Sequence, residues 1–405
     1  MFVRAKDLKK LYREKGRAWT LHHIDEAIAK QEVRPEDFSL LDLAENLIDD
    51  GREYVSLMRR AATARDVLED VASVDTSAFS NITGQLIFST IKEAMQLDEL
   101  IGDRLCTVMP STFQERELVP GISPPADEFA DEVPEGIEYP LVGLSEDFVE
   151  IPRAEKHGGI LAVTREMTIA DRTGQLLERA RGIGKGLAIR REKSILDVFI
   201  GGVNPYVRKT VARNTYANIA GTSYFDNIIT DALVDYTDVQ AAANLFFQMR
   251  DPDTGEPLGH SPTTFVCCPD LMWTARPVFR DTAVALQQAL VRAAGAVEIK
   301  SEGGNRIPWD LELLNNEWLT MRLMANDGNG GLTTTTRDLS VAHWFIGRPR
   351  EAFCWKEIWP LTVESAPANN EAQFTADIWA RFKTSYKGCA GVREPRLMVR
   401  SDGTT

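Results

Sequence analysis

Residues 111–140 contain the feature that most constrains how this chain can fold, because they resist burial in a core. Five prolines lie in this segment, at Pro120, Pro124, Pro125, Pro134 and Pro140, and acidic residues cluster at positions 127–138. Proline cannot donate to a strand ladder, and clustered carboxylates are costly to bury. The segment is therefore predicted to project from the body. A projection of ~50 residues, counted to the end of the returning chain, exceeds ordinary loop lengths and indicates a function of its own.

The residues after this segment predict a hairpin return and then a long helix. Two short β-rich pieces surround Gly158 and Gly159 within residues 146–167, which is typical of the second limb of a hairpin. In residues 171–200, apolar side chains recur at steps of three and four or their sums. At 1.5 Å per residue this helix would be roughly 40 Å long, which indicates a structural strut.

The first ~70 residues are charged and helix-prone, and they predict an amphipathic arm. The apolar positions with helical spacing are Leu40, Leu43, Ala44, Leu47 and Ile48. We expect this arm to lack a partner surface within its own subunit and to need one elsewhere.

The second half of the chain predicts a compact α/β lobe followed by a late strand. Residues 236–249 predict a helix, 261–271 a buried strand, and 271–296 a helix in their second half. Residues 374–386 alternate as in a half-buried strand. One face carries Phe374, Ala376, Ile378, Ala380, Phe382 and Tyr386, and the opposite face carries Thr375, Asp377, Arg381, Lys383 and Ser385.

The late tryptophans Trp344, Trp355, Trp359 and Trp379 are expected in the core or at a subunit interface.

Length and composition exclude several classes of protein. At 405 residues the chain exceeds the roughly 250–300 residues at which one core stops growing, so two lobes with extensions are expected. The formal net charge of −14 disfavours tight nucleic-acid binding. Apolar runs stay well short of the ~20 residues that span a bilayer, and the charged start is unlike a signal peptide. A cytosolic product without membrane contact is expected.

Known motifs for cofactors, metals and catalysis fit poorly. The run at residues 181–188 has Gly182, Gly184, Lys185 and Gly186 inside a helical pattern, so a phosphate loop is rejected in favour of close helix packing or bending. Residues 251–262 lack the ligands of a calcium loop, and the histidines lack metal-binding spacing. The five cysteines form no CxxC pair and are expected to be reduced and mostly buried. We expect no cofactor, no metal and no enzymatic activity.

The order of these parts resembles the Hong Kong 97-type capsid fold of tailed-phage heads and encapsulins, over residues 79–400. The return limb carries a pattern similar to that family at Lys156, Gly158, Ile160, Thr164, Glu166 and Met167. Further similar segments are VPEGIEYP, CPDLMWTA and the closing RFKTSYKGCAGVREPR. The resemblance implies an α+β fold with a peripheral domain, an axial domain, an extended loop, a long spine helix and an N-terminal helical arm. The implied ranges are 1–78 for the arm, which could be a scaffolding segment, 79–110 for the first part of the peripheral domain, 111–163 for the extended loop, 164–231 for the spine helix and peripheral domain, 232–356 for the axial domain, and 357–405 for the returning peripheral strands and C-terminus.

The function that the resemblance implies is that of a major capsid protein, which assembles with itself into the icosahedral head shell around phage double-stranded DNA. Its implied partners are other copies in pentamers and hexamers, the portal and scaffolding proteins, and DNA contacted weakly and without sequence preference. The product would belong to the virion and be assembled in the host bacterial cytoplasm. An encapsulin-like nanocompartment shell remains the alternative, and an unrelated cytosolic enzyme or binding module is the alternative of another class. Neighbouring genes would discriminate, since terminase, portal and protease genes accompany phage heads.

Two sets of charged residues are the candidate assembly sites. In the extended loop these are Asp127, Glu128, Asp131, Glu132, Glu135 and Glu138. On the spine helix they are Arg179, Arg181, Lys185, Arg190, Arg191 and Lys193. Because the two sets have opposite charge, we expect them to pair between neighbouring copies. Residues 111–155 include no lysine, so the lysine–asparagine cross-link of some relatives is not expected.

Overall fold

The computed structural model describes residues 5–30, 32–47, 77–96, 99–121, 148–164, 167, 173–217, 225–250, 259–280, 307–326, 342–365 and 378–403. The chain divides into two compact units. Unit 1 comprises Met1–Asp98, Glu155–Arg190 and Trp359–Lys387, and unit 2 comprises Glu99–Ala154, Arg191–Ile358 and Gly388–Thr405.

Helices and strands are mixed throughout, which confirms the predicted α+β class. The helices are α1 (Ala5–Lys15), α2 (Arg17–Ala29), α3 (Leu40–Leu47), α4 (Ser77–Met95), α5 (Gly102–Leu105), α6 (Thr173–Phe199), α7 (Tyr236–Gln248), α8 (Met272–Arg280), α9 (Glu317–Asn326) and α10 (Pro349–Ala352). The strands are β1 (Thr107–Pro110), β2 (Glu117–Pro120), β3 (Phe148–Ile151), β4 (Glu155–Thr164), β5 (Val207–Arg208), β6 (Val211–Ala212), β7 (Ile228–Ile229), β8 (Thr264–Cys267), β9 (Glu312–Asn315), β10 (Trp344–Gly347), β11 (Phe353–Ser365), β12 (Ile378–Val392) and β13 (Met398–Ser401).

The N-terminal helices α1–α3 pack into the core of unit 1. The predicted apolar face of α3 is buried at Leu40, Leu43, Ala44 and Leu47, which confirms the helical spacing, while Ile48 lies outside the described residues. These side chains share one apolar cluster with α4 and with the first turns of α6. The backbone N–H of Leu40 also donates to Oγ1 of Thr173 at 2.8 Å. The expectation that the arm lacks a partner surface in its own subunit is therefore wrong for residues 5–47, because their apolar faces are covered here.

The predicted spine helix is confirmed as α6, within two residues of the expected start and one of the expected end. Its glycines serve different purposes. A Cβ at Gly184 would lie 2.7 Å from the carbonyl oxygen of Ile91 and 3.0 Å from the Cβ of Ala94, so α4 can approach only a glycine there. The interpretation of close helix packing is confirmed at Gly184, and the helical backbone excludes a phosphate loop.

The late strand β12 follows the predicted alternation on its apolar face. Ala380, Phe382 and Tyr386 are buried, whereas Ser385 is buried as well, contrary to the prediction of a solvent-facing position. The reason is the neighbouring strand β4, where a Cβ at Gly158 would lie 2.9 Å from the Cβ of Ser385. Ser385 is thus packed against the adjacent strand of the same sheet. Residues 374–377 lie outside the described residues.

Unit 2 contains a five-stranded sheet with the order β7-β13-β10-β8-β9. All residues of β8 are buried, as predicted for the strand within residues 261–271. The predicted helix at 236–249 is α7, which begins with a capping box between Asp235 and Asp238. Helix α8 begins already at Met272, which is earlier than predicted. It directly follows a helical turn that starts at Pro269, a position where the first N–H of a helix makes no intrahelical hydrogen bond and proline is therefore tolerated. Residues 281–296 lie outside the described residues.

A second sheet of unit 2, ordered β2-β3-β5-β6, forms the base of the predicted hairpin. Strands β2 and β3 pair in antiparallel register from Glu117 opposite Ile151 to Pro120 opposite Phe148. Pro120 and Phe148 therefore lie side by side, which confirms the hairpin at its base. The two-residue turn between β5 and β6 has positive φ at both Lys209 and Thr210, a conformation that non-glycine residues rarely adopt.

Candidate assembly surfaces

The base of the extended loop is fixed by a buried lysine that sequence reasoning missed. Lys356 is 1% exposed, and its Nζ donates to the carbonyl oxygen of Glu115 at 2.6 Å. The same Nζ lies 3.4 Å from Oε2 of Glu117, which also accepts a hydrogen bond from Oγ of Ser111 at 2.6 Å. These contacts hold the first strand of the loop against β11. The sequence gives no signal for this role, since a lysine between apolar strand residues is usually assigned to a solvent-facing position.

The extended loop was predicted to carry six acidic assembly residues. Asp127, Glu128, Asp131, Glu132, Glu135 and Glu138 all lie outside the described residues. Their pairing with a neighbouring copy stays a prediction.

The spine-helix cations of unit 1 point largely to solvent. Arg179, Lys185 and Arg190 are exposed on α6. Arg181 forms an ion pair with Glu36 of the N-terminal segment, where both side chains remain about half exposed. An exposed pair of this kind contributes only about 0.2–1 kcal/mol, so Arg181 can exchange this partner for another at little cost.

The two remaining cations of the set are engaged within unit 2. Arg191 forms an ion pair with Asp103 at 2.7 Å, and its guanidinium lies 5.1 Å from the centroid of the Trp355 ring. Lys193 lies over the ring of Trp318 at 4.8 Å. Trp355 is fully buried, in agreement with the predicted core position. The six candidate cations thus share one helix, and Arg181, Arg191 and Lys193 contact residues of their own subunit.

Between Arg191 and Lys193 stands a buried carboxylate that was not predicted. Glu192 is 3% exposed, and its oxygens accept hydrogen bonds from the backbone N–H of Ile101 at 3.0 Å and of Gly102 at 2.8 Å. Nδ2 of Asn316 donates to the same carboxylate at 2.9 Å. A Cβ at Gly102 would lie 2.5 Å from Oε2 of Glu192, so any larger residue there would displace this carboxylate.

The carboxylate of Glu192 connects three separate stretches of unit 2. Burial raises the pKa of Glu192, while the hydrogen bonds from Ile101 and Gly102 act in the opposite direction. A signal for its burial exists in the sequence, because it lies four residues after Ala188 and three before Ile195, both on the apolar face. An acidic residue on the apolar face of a helix indicates a buried carboxylate, which needs hydrogen-bond donors from other parts of the chain.

Several large apolar side chains of unit 2 are exposed. Trp273 on α8 is 83% exposed, Val234 before α7 is 71% exposed and Phe247 on α7 is 61% exposed. At the hairpin base, Phe113 and Leu118 are 65% and 62% exposed. A contiguous apolar patch on a surface marks a site of protein–protein contact. These exposed side chains are candidate contacts with a second chain.

Within the described ranges, the helices are too short or too polar to cross a membrane. Among the same residues, no group of three or more His, Cys, Asp or Glu side chains could hold a metal ion. Cys106, Cys267, Cys268 and Cys354 are buried and Cys389 is half-buried, all as free thiols, which confirms the expected burial. Burial raises the pKa of Cys106 and of Cys354 to about 12, so both stay protonated at neutral pH.

The comparisons with known proteins give one family and a set of distant structural neighbours. A family model described as "Phage capsid protein" matches residues 149–401. No curated protein is significantly similar to the chain. Among solved structures, the capsid of cyanophage P-SCSP1u is 12% identical, with 73% of this chain and 86% of that chain covered and a TM-score of 0.40.

Two further neighbours show the same range of similarity. The mature capsid of bacteriophage PhiM1 is 11% identical over 75% of this chain and 87% of that chain, with a TM-score of 0.41. The holo-SrpI encapsulin complex from Synechococcus elongatus is 10% identical over 74% of this chain and 85% of that chain, with a TM-score of 0.38.

Proposed function

Because this chain belongs to the phage capsid protein family and is a major capsid shell protein, we propose that its copies assemble with one another through the exposed surfaces described above. The family match confirms the resemblance found in the sequence, and it favours the phage head over an encapsulin-like compartment. In this proposal the copies form pentamers and hexamers that close into an icosahedral shell. Head-to-tail contacts that close make rings, and such rings can tile a closed surface.

The proposed role is structural and involves no catalysis and no cofactor. The shell would form in the host bacterial cytoplasm with portal and scaffolding proteins and become part of the virion. Packaged double-stranded DNA would be contacted weakly, because a net charge of −14 per copy opposes phosphate binding. We expect any affinity of the shell interior for DNA to fall steeply with salt and to be indifferent to sequence.

The observation that carries the proposal is the exposure of apolar side chains in unit 2, above all Trp273. In the proposed domain arrangement, the axial domain (232–356) lies near the centre of each capsomer, where Trp273 and Phe247 would contact the next copy. The extended loop (111–163) would lie over a neighbouring subunit, and the peripheral domain would comprise 79–110, 164–231 and 357–405. In the same arrangement, residues 1–78 would form the N-terminal helical arm.

Light scattering and electron microscopy of the purified chain test the proposal directly. We expect ring-shaped capsomers or closed shells, and a stable monomer at all salt and protein concentrations would contradict it. Trp273→Ala removes an exposed side chain and should leave the fold intact but weaken assembly. The matched control is Trp19→Ala, a half-exposed tryptophan in unit 1. Equal effects of the two variants would argue against a specific contact at Trp273.

The charge pairing between the loop and the spine helix of a neighbour needs a separate test. Deleting residues 121–140 should preserve the circular dichroism of the subunit and prevent shell closure. Arg190→Glu should impair assembly of empty shells made without DNA. Arg191→Glu would also remove the ion pair of Arg191 with Asp103 within the subunit, so it is not combined with Arg190→Glu. Normal empty shells from Arg190→Glu, with only DNA packaging impaired, would assign the helix to the genome instead.

A further inference from the structure

Three cations share the outer face of strand β12 in unit 1. Arg381, Lys383 and Lys387 occupy positions that alternate with buried core residues, and all three are half-buried. Residues two apart in a strand lie on the same face, separated by about 6.8 Å, so these charges form a row along β12. The opposite face of the strand packs through Ala380 and Phe382 into the apolar core of the unit. The row of cations therefore faces away from that core.

A fourth cation, Lys156 of β4, lies beside the same tryptophan as Lys387. The Nζ atoms of Lys156 and Lys387 lie 5.6 Å and 5.3 Å from the centroid of the Trp359 ring on β11. A cation within about 6 Å of an aromatic ring is attracted to it and keeps its charge. The ring thus orders two flexible lysines without neutralising them. We call Lys156, Arg381, Lys383 and Lys387 the cationic face, which spans the neighbouring strands β12 and β4.

The carboxylate of Glu364 on β11 lies against the cationic face. It pairs with Lys383, and the side chains of Lys383 and Glu364 are 45% and 63% exposed. The hydrogen bond and charge of Lys383, with a smaller contribution from Lys156, lower the pKa of Glu364. An exposed ion pair is weak, so the anion of a partner can take the place of Glu364 at Lys383. Even with Glu364 subtracted, the four cations leave this face positive in a chain whose net charge is −14.

We propose that the cationic face binds the phosphate backbone of double-stranded DNA without reading its sequence. The inference rests on the proposed function, because packaged DNA is present only if the chain forms a head shell. Lysine and arginine supply most contacts with phosphates, whereas the centre of a protein–protein interface is depleted of lysine. Three of the four cations are lysines. The composition of the face therefore fits a nucleic-acid backbone better than a second protein.

Fluorescence anisotropy of a labelled DNA duplex, titrated with the unassembled full-length chain at several salt concentrations, tests the proposal. The double variant Lys156→Gln with Lys387→Gln should bind at least about fivefold more weakly at low salt. Its slope of log affinity against log salt should fall by about 1.8, since each phosphate contact contributes ~0.9. The matched control is Lys10→Gln with Lys30→Gln, two exposed lysines of unit 1 that should leave the slope unchanged. Glu364→Gln should raise the affinity, because it removes the competing carboxylate.

Several outcomes would overturn the proposal. These are no duplex binding by the unaltered chain at low salt, an unchanged affinity and slope in the Lys156 and Lys387 variant, and an equal loss in the control variant. Tighter binding of poly-glutamate than of the duplex would assign the face to an acidic protein instead. If the unaltered chain forms neither capsomers nor shells, the proposed function fails and this inference falls with it. If the chain assembles but duplex binding does not depend on Lys156 and Lys387, only this inference fails.

Discussion

Replacement of Glu192 by alanine should destabilise unit 2 more than any other single substitution on the spine helix outside its apolar side chains. The carboxylate satisfies the backbone N–H groups of Ile101 and Gly102 and one N–H of Asn316. In Glu192→Ala these donors remain buried without their acceptor. An unsatisfied buried donor costs about 1–3 kcal/mol. Glu192→Ala thus leaves three buried N–H groups without this carboxylate acceptor.

The net loss should be smaller than three full penalties. Nδ2 of Asn316 keeps its second acceptor, the carbonyl oxygen of Glu99 at 2.9 Å. Removing the carboxylate also removes the cost of burying a charge, and the space left can admit water. We therefore expect a decrease of about 3 kcal/mol in the free energy of unfolding. For a unit of this size that corresponds to roughly 6–12 °C in the unfolding midpoint.

Urea unfolding of the unassembled subunit, followed by circular dichroism and by tryptophan fluorescence, measures this loss. Trp318 follows Asn316 closely in the chain, and its backbone N–H donates to Oδ1 of Asn316 at 2.7 Å, so its fluorescence reports on the same region. Glu178→Ala is the matched control, an exposed glutamate on the same helix, and should change stability by less than about 0.5 kcal/mol. Equal stabilities of the two variants would refute the assignment of Glu192 as a buried acceptor.

Three further predictions concern pH, a turn and the loop base. Because burial raises the pKa of Glu192, its protonation favours the folded state below pH ~4.3, and that contribution is lost as pH rises through the folded pKa. Glu192→Gln should therefore flatten the dependence of stability on pH above pH ~4.3, and an unchanged profile would argue against this assignment. The double substitution Lys209→Asn and Thr210→Gly places residues that tolerate positive φ at both turn positions, so it should raise the free energy of unfolding by about 1 kcal/mol in thermal unfolding. A lower stability of this variant would show that the turn is not strained. Lys356→Met should lower the free energy of unfolding by about 2 kcal/mol and speed the hydrogen exchange of the β2 amides. Unaltered exchange of these amides would show that Lys356 does not hold the loop base.

The parts of this fold that could be predicted from sequence are those in which one periodic pattern decides the structure. The spine helix and the buried strand β8 were placed within a few residues, because continuous apolar spacing needs no knowledge of the partner. Burial of Ser385 depended on a glycine in β4, more than two hundred residues earlier in the chain. Glu192 and Lys356 could not be assigned for the same reason, since a buried charge is stable only where distant groups supply donors or acceptors.

The candidate assembly site on α6 likewise has parts that the sequence predicts and parts that depend on tertiary contacts. Sequence reasoning found the cationic face of α6 from charge alone, but it could not tell which cations already have partners, such as Arg191 with Asp103. It also grouped three neighbouring glycines under one interpretation. The structure assigns Gly184 to helix packing and leaves the surfaces at Gly182 and Gly186 open, a distinction that depends on the position of α4.

The antiparallel base of the hairpin limits how far residues 121–147 can reach from unit 2, and in the proposed shell this reach limits the distance between neighbouring copies. The two ends of this segment are held side by side, at Pro120 and Phe148, so only half of the intervening chain can contribute to its reach. At about 3.4 Å per residue, the tip can extend at most roughly 45 Å from the base. Lengthening the segment by pairs of residues would relax this limit in steps of about 3.4 Å, and shortening it would tighten the permitted spacing until neighbouring copies could no longer be bridged.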